Sequence, residues 1–197
     1  MTDRDLILAS GSPRRRQLLE LIGVGFTVIP ADVDETPLPG EDPVTYASRA
    51  ARDKAQDVAT SHPGRLVLGA DTVVEVDQEI LGKPSSADDA VSMLRRLSGR
   101  SHLVHTALAL VTDATGHEVV DSARVQFLDL TDEMIRWYVA TGEPMDKAGG
   151  YAIQGLGGLL VAGVEGSPHT VVGLPVHRLP ELFAAHDIDF WSRLKEL

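Results

Sequence analysis

Cysteine is absent from this chain. That excludes disulfides, thiolate metal sites and a cysteine nucleophile, and it fits a cytoplasmic protein kept in reducing conditions. Long apolar runs are also absent, so no membrane span is expected. Asp3, Arg4 and Asp5 precede only a short apolar strand, so a signal-peptide core is not expected either. Positive charge is scarce: Lys and Arg total 18 against 29 Asp and Glu, a net charge of −11. General affinity for nucleic acid or an anionic membrane is therefore not expected. Neither a P-loop nor the GxGxxG spacing of a dinucleotide fold occurs. An anionic ligand would then need the few basic residues gathered in one place.

The start of the chain gathers some of them. Leu6-Ile7-Leu8 reads as a strand, and Ala9-Ser10-Gly11 reads as a turn. A helix then opens with Ser12 as N-cap and Pro13 at its first position. Its apolar face is Leu18, Leu19 and Ile22, and it stops at Gly23. Arg14, Arg15 and Arg16 fall in the first turn, where the helix dipole disfavours cations. Free N–H groups beside guanidinium forks suit a phosphate chain. A capped, arginine-rich surface helix is the plainer alternative.

The rest of the chain mixes strands and helices without strict alternation and without a linker. One α/β domain over residues 1–197, with a mixed sheet, is expected. The acidic, Pro/Gly-rich stretch 32–42 reads as a loop. Helices are expected from Pro43 to about Ser61, over 86–97 with Ser86 and Asp89 as a capping box, from Thr131 to Thr141, and over 175–186. Strands are expected over 65–81 with a turn at Asp77-Gln78, over 102–112, over 118–130 and over 159–164, with Asp113 to Gly116 a turn.

Within this frame several residues look out of place. Lys54 lies on the apolar stripe Val44, Ala47, Ala51, Val58. It is either a lysine snorkelling from a rim or an ammonium aimed at a ligand. Asp71 interrupts the buried strand around Gly69-Ala70, so it needs a cation, a metal or a catalytic role. Lys83 sits on the stiff turn Gly82-Lys83-Pro84. Glu35 is a loop carboxylate that, with Asp71, suits Mg²⁺. Residues 151–158 have the glycine content of a ligand loop. His102 and His105 should face opposite sides of a strand and share no metal. Ser167-Pro168-His169 has no hydrolase elbow around it.

In order, Ser10-Gly11-Ser12-Pro13-Arg14-Arg15, Asp34-Glu35-Thr36, Lys54-Ala55, Gly69-Ala70-Asp71-Thr72, Gly82-Lys83-Pro84, Thr141-Gly142-Glu143-Pro144, Asp146-Lys147-Ala148-Gly149, Tyr151 to Gly155 and Val172-Gly173-Leu174-Pro175 resemble the motifs of Maf proteins. The resemblance runs from Leu6 to about Phe183. It implies a nucleoside triphosphate pyrophosphatase that yields a monophosphate and pyrophosphate. The implied fold is similar to that of inosine-triphosphate pyrophosphatases, with a twisted mixed sheet flanked by helices and two lobes around a central cleft. The family is cytoplasmic, uses a divalent metal such as Mg²⁺ or Mn²⁺, often forms homodimers, and is associated with inhibition of septum formation.

By position, Asp71 resembles the family's proton acceptor, and Ser12, Arg14, Arg15, Lys54 and Lys83 resemble its phosphate-binding residues. Arg14, Thr72 and Gln154 resemble the positions that set base preference, on the dTTP/UTP branch rather than the 7-methyl-GTP branch. Glu165 to Thr170 departs from the family's usual Tyr-x-Asn. A nucleotide-sensing regulator of cell division without turnover is the alternative.

Overall fold

The computed structural model describes residues 6–113 and 115–194, so Asp3, Arg4, Asp5 and Ala114 of the expectations above lie outside it. The strands are β1 (Leu6–Leu8), β2 (Thr27–Val28), β3 (Leu66–Val76), β4 (Glu79–Leu81), β5 (Ser101–Val111), β6 (Gly116–Phe127) and β7 (Val161–Glu165). The helices are α1 (Pro13–Leu21), α2 (Pro43–Thr60), α3 (Ala87–Leu97), α4 (Asp132–Ala140), α5 (Pro168–Val172) and α6 (Leu179–Ala184), with short 3-10 turns between them.

One seven-stranded sheet runs β2-β1-β3-β5-β6-β7, with β4 also on β3. β1 is parallel to β2 and β3. The pairs β3–β4 and β6–β7 are antiparallel, so the sheet is mixed as expected. The β3–β4 hairpin turns on Asp77 and Gln78, both at positive φ, as a tight hairpin of this twist requires.

The chain forms two compact units. The first comprises Met1–Asp71, Thr106–Asp121 and Gly173–Leu197; the second comprises Thr72–His105 and Ser122–Val172. The core of the first holds Leu6, Ile7, Leu8, Leu19, Leu68, Leu179 and Phe183, all fully or almost fully buried. The core of the second joins Leu94, Leu97, Phe127, Ile135, Tyr138 and Tyr151.

Three local expectations are corrected. Residues 175–186 are not one long helix: a 3-10 turn over Val176–Arg178 precedes the six-residue α6. Pro180 lies at the start of α6 and removes an N–H that a continuous helix would need. Val44 is exposed, and the buried stripe of α2 is instead Tyr46, Ala47, Ala50, Ala51, Lys54, Ala55 and Val58. The capping box of α3 is half-formed. The Ser86 hydroxyl accepts the Asp89 N–H, but the Asp89 carboxylate binds Ser85 rather than returning to Ser86. The short elements β2 and α5 carry too few residues for a sequence period to reveal.

Candidate active site

Helix α2 begins where the Asp42 carboxylate accepts the N–H of Thr45 at 2.9 Å, with Pro43 at its first position. Small residues at 47, 51 and 55 let it lie close on β3. At Gly69 a methyl group would meet the Ala51 carbonyl oxygen at 2.1 Å and the Ala55 nitrogen at 2.9 Å. Lys54 stands on this same helix face, and Asp71 lies two residues beyond Gly69, on the same face of the strand. The Lys54 ammonium donates to Asp71 Oδ1 at 2.7 Å. Both residues are buried, at 8% and 5% exposure.

Glu35 completes the cluster, with its carboxylate 2.8 Å from the same ammonium. Its loop is strapped to α2. The Tyr46 hydroxyl donates to the Glu35 carbonyl at 2.7 Å, and Arg49 donates two 2.7 Å bonds to Glu41 and a third to the Thr36 carbonyl. The Arg49 fork holds the Glu41 carboxyl down at about 2. Burial, with the negative charges of Asp71 and Glu35, pushes the Tyr46 phenol up.

Two carboxylates thus converge on one position that already holds a positive charge. Among the described residues no group of three or more His, Asp and Glu is assembled to bind a metal. Mg²⁺ commonly takes one or two carboxylates and draws its other ligands from substrate phosphates and water. Glu35 and Asp71 supply two carboxylates of that kind, with the Lys54 ammonium against both.

The arginines at the start of α1 separate into three environments. Arg15 is buried: its guanidinium donates to Ser10 Oγ at 2.9 Å, to the Ala70 carbonyl at 2.9 Å and to the Gly173 carbonyl at 2.8 Å. Burial lowers its pKa, against the raising effect of nearby Asp71. Arg16 makes an exposed ion pair with Glu20. Arg14 is half-buried and pairs with no acidic residue among those described. Ser12 occupies the N-cap position, but its side chain caps nothing, and its own N–H reaches Ser10 Oγ at 3.3 Å. Helix position alone left the three arginines equivalent; the fold buries Arg15 and leaves Arg16 exposed.

The remaining expected residues belong to the second unit. Thr72 follows Asp71 on β3 and is half-buried; successive strand residues point to opposite faces. Lys83 is exposed on its turn, which is tied down where the Gly149 N–H donates to the Gly82 carbonyl at 3.0 Å. Gln154 is exposed in the 151–158 loop. His102 and His105 have separate partners: Tyr151 for the first, Ser122 and Glu75 for the second.

One arrangement was missed by sequence reasoning. The Glu143 carboxylate accepts the N–H groups of Leu156 at 3.0 Å and Gly157 at 2.9 Å and the Tyr138 hydroxyl at 2.8 Å. The Tyr138 oxygen in turn accepts the Ala152 N–H at 3.1 Å. Burial raises the Glu143 pKa, yet these bonds outweigh it and the net shift is downward. The glycines of this loop have a packing reason. A methyl group at Gly155 would lie 2.5 Å from Glu143 Oε2, and one at Gly157 would lie 2.6 Å from the Tyr138 hydroxyl. A glutamate eight residues before the loop gave no sequence signal of this contact.

Comparison with known proteins places the chain in a family. The profile of the family described as Maf-like protein matches residues 5–186. A dTTP/UTP pyrophosphatase of Nitratidesulfovibrio vulgaris is 54% identical over 179 residues, covering 90% of this chain and 85% of its own. One from Moorella thermoacetica is 48% identical, covering 96% and 98%. Among solved structures, the Staphylococcus aureus Ham1 protein aligns over 63% of this chain and 72% of its own, at TM-score 0.47 and 16% identity, too slight a likeness to build on. With a family profile spanning nearly the whole chain and relatives near half identity, the chain belongs to the Maf family.

Proposed function

We propose that this protein hydrolyses dTTP and UTP to the nucleoside monophosphate and pyrophosphate. The observation that carries the reading is the buried Lys54 ammonium held by Asp71 at 2.7 Å and Glu35 at 2.8 Å. The printed activity of relatives near 50% identity supports it. In the proposed reaction a water oxygen bonds to the α-phosphorus while the α–β bridging bond breaks. Pyrophosphate leaves, and the water's proton passes to the Asp71 carboxylate. Lys54 holds Asp71 in place and, with Lys83, offsets charge that builds on the phosphoryl oxygens. Ser12 and Arg14 bind the phosphate chain. Arg15 holds the Ser10 turn beneath them, since its fork is engaged by the protein itself.

A divalent cation, Mg²⁺ or Mn²⁺, would be held by Glu35 and Asp71 together with substrate oxygens. It would supply electrostatic stabilisation of the phosphates. Thr72 and Gln154 are assigned to the base. Uracil and thymine present carbonyl acceptors beside an N3–H donor, and a glutamine amide offers the complementary pair. A cytoplasmic setting completes the reading.

The test is a screen of the purified protein across dTTP, UTP, CTP and purine triphosphates, with products resolved by chromatography. Monophosphate plus pyrophosphate from dTTP and UTP is expected. A diphosphate as first product, or binding without turnover, overturns it.

A further inference from the structure

Gln154 is exposed, yet the loop that carries it is held on both sides. Before it, the Tyr151 hydroxyl meets His102 Nε2 at 2.7 Å and the Ala152 N–H reaches the Tyr138 oxygen. After it, the Leu156 and Gly157 N–H groups reach Glu143. The Tyr138 hydroxyl donates to Glu143 Oε1, so the anchors at 152 and at 156–157 belong to one hydrogen-bonded unit. Tyr138 is fully buried on α4, and that fixes the unit to the core.

We infer that Glu143 is a positioning residue for base selection, holding the Gln154 loop through Tyr138 and the Leu156 and Gly157 N–H groups. The inference rests on the assignment of Gln154 to the base. A glutamine amide carries both donor and acceptor and suits more than one base edge, so selectivity depends on where its backbone is held. Glu143 meets only donors: three converge on its two oxygens. A carboxylate satisfies all three, whereas a glutamine there must turn its NH₂ group toward an N–H or O–H. The loop glycines are the counterpart of the same contact, since side chains at 155 and 157 would displace Glu143 or Tyr138.

The experiment compares the full-length wild type with Glu143→Gln, Gln154→Leu and the double variant, measuring kcat and KM for dTTP, UTP, CTP and ATP. Glu143→Gln is expected to raise KM for dTTP and UTP and to cut the preference for UTP over CTP and ATP by about tenfold, the effect of one lost or misplaced hydrogen bond. Its kcat at saturation stays within about twofold, since the reacting groups are untouched. Gln154→Leu shows the same loss, and the double variant adds little, because the two residues act as one unit.

Should Glu143→Gln fail to fold, Tyr138→Phe, which removes only the bridging hydroxyl, must move preference in the same direction. Base preference lost in Gln154→Leu but kept in Glu143→Gln overturns the inference alone. So does an equal fall in kcat on every substrate, the mark of a merely structural role. Preference kept in Gln154→Leu overturns the base assignment and takes this inference with it.

Discussion

Gly69 faces Ala51 so closely that a methyl group on it would stand 2.1 Å from the Ala51 carbonyl oxygen. The atoms the methyl would meet first are backbone, so nothing flexible can give way. It sets the spacing at which Lys54 on α2 meets Asp71 on β3. Gly69→Ala is expected to push α2 off the strand, at a cost of about 1–3 kcal/mol, and to lower turnover beyond what the stability loss explains. Denaturant midpoint and kcat on dTTP, measured together, check this.

Asp71→Asn keeps the size of the side chain and an oxygen for Lys54, but removes the carboxylate proposed as proton acceptor. Turnover should fall by about 10²–10⁴ while the chain stays folded by circular dichroism. Near-normal kcat at saturating Mg²⁺ would show that Asp71 is only a structural partner of Lys54.

The two arginines separate by different readouts. Arg15→Ala removes the guanidinium donor from the carbonyls of Ala70 and Gly173 and leaves Ser10 Oγ with only the longer bond from the Ser12 N–H. A loss of roughly 3 kcal/mol or more is expected, seen as a lower melting temperature. Arg14→Ala should leave the melting temperature near wild type and lower kcat/KM, with only partial recovery in Arg14→Lys, whose ammonium lacks the bidentate fork. The reverse pattern would exchange their roles.

Acid sensitivity has a specific source in His102. Burial holds its pKa down at about 4, below the ordinary 6.5. Between those values the unfolded chain binds a proton that the folded chain does not, so stability falls as pH drops from about 6.5 to about 4 and is fully present above that window. The size is about 3 kcal/mol for this one group. His102→Gln keeps a polar partner for Tyr151 and does not titrate, so its stability should vary less across the window. Urea midpoints at pH 7, 5.5 and 4.5 read the difference, and identical slopes would place the sensitivity elsewhere.

Lys54 and Asp71 were each legible in the sequence because each breaks an apolar pattern and a buried charge needs a partner; that they are each other's partner shows only in the fold. Glu35 was legible only through its company, since a loop carboxylate alone reads as surface. Arg15 was not: Arg14, Arg15 and Arg16 are identical in type, and a rotation of about 100° per residue around α1 decides which one points inward. The role of Glu143 was hidden for a different reason. Its partners are backbone N–H groups, which every residue has, so no side-chain pattern marks them. The glycines at 155 and 157 suggested a ligand loop; the structure shows that they also leave room for the protein's own carboxylate and hydroxyl.

The bond from Arg15 to Gly173 joins residues 158 positions apart. During synthesis the guanidinium leaves the ribosome long before its acceptor exists. At about 5–20 residues per second the wait is roughly 8–30 s. Until then Ser10 and Ala70 of β3 share a cation whose third partner has not been made, so the start of α1 is among the last parts to set. A nascent chain stalled before residue 173 should expose the α1 segment to protease, and release of the finished chain should close it.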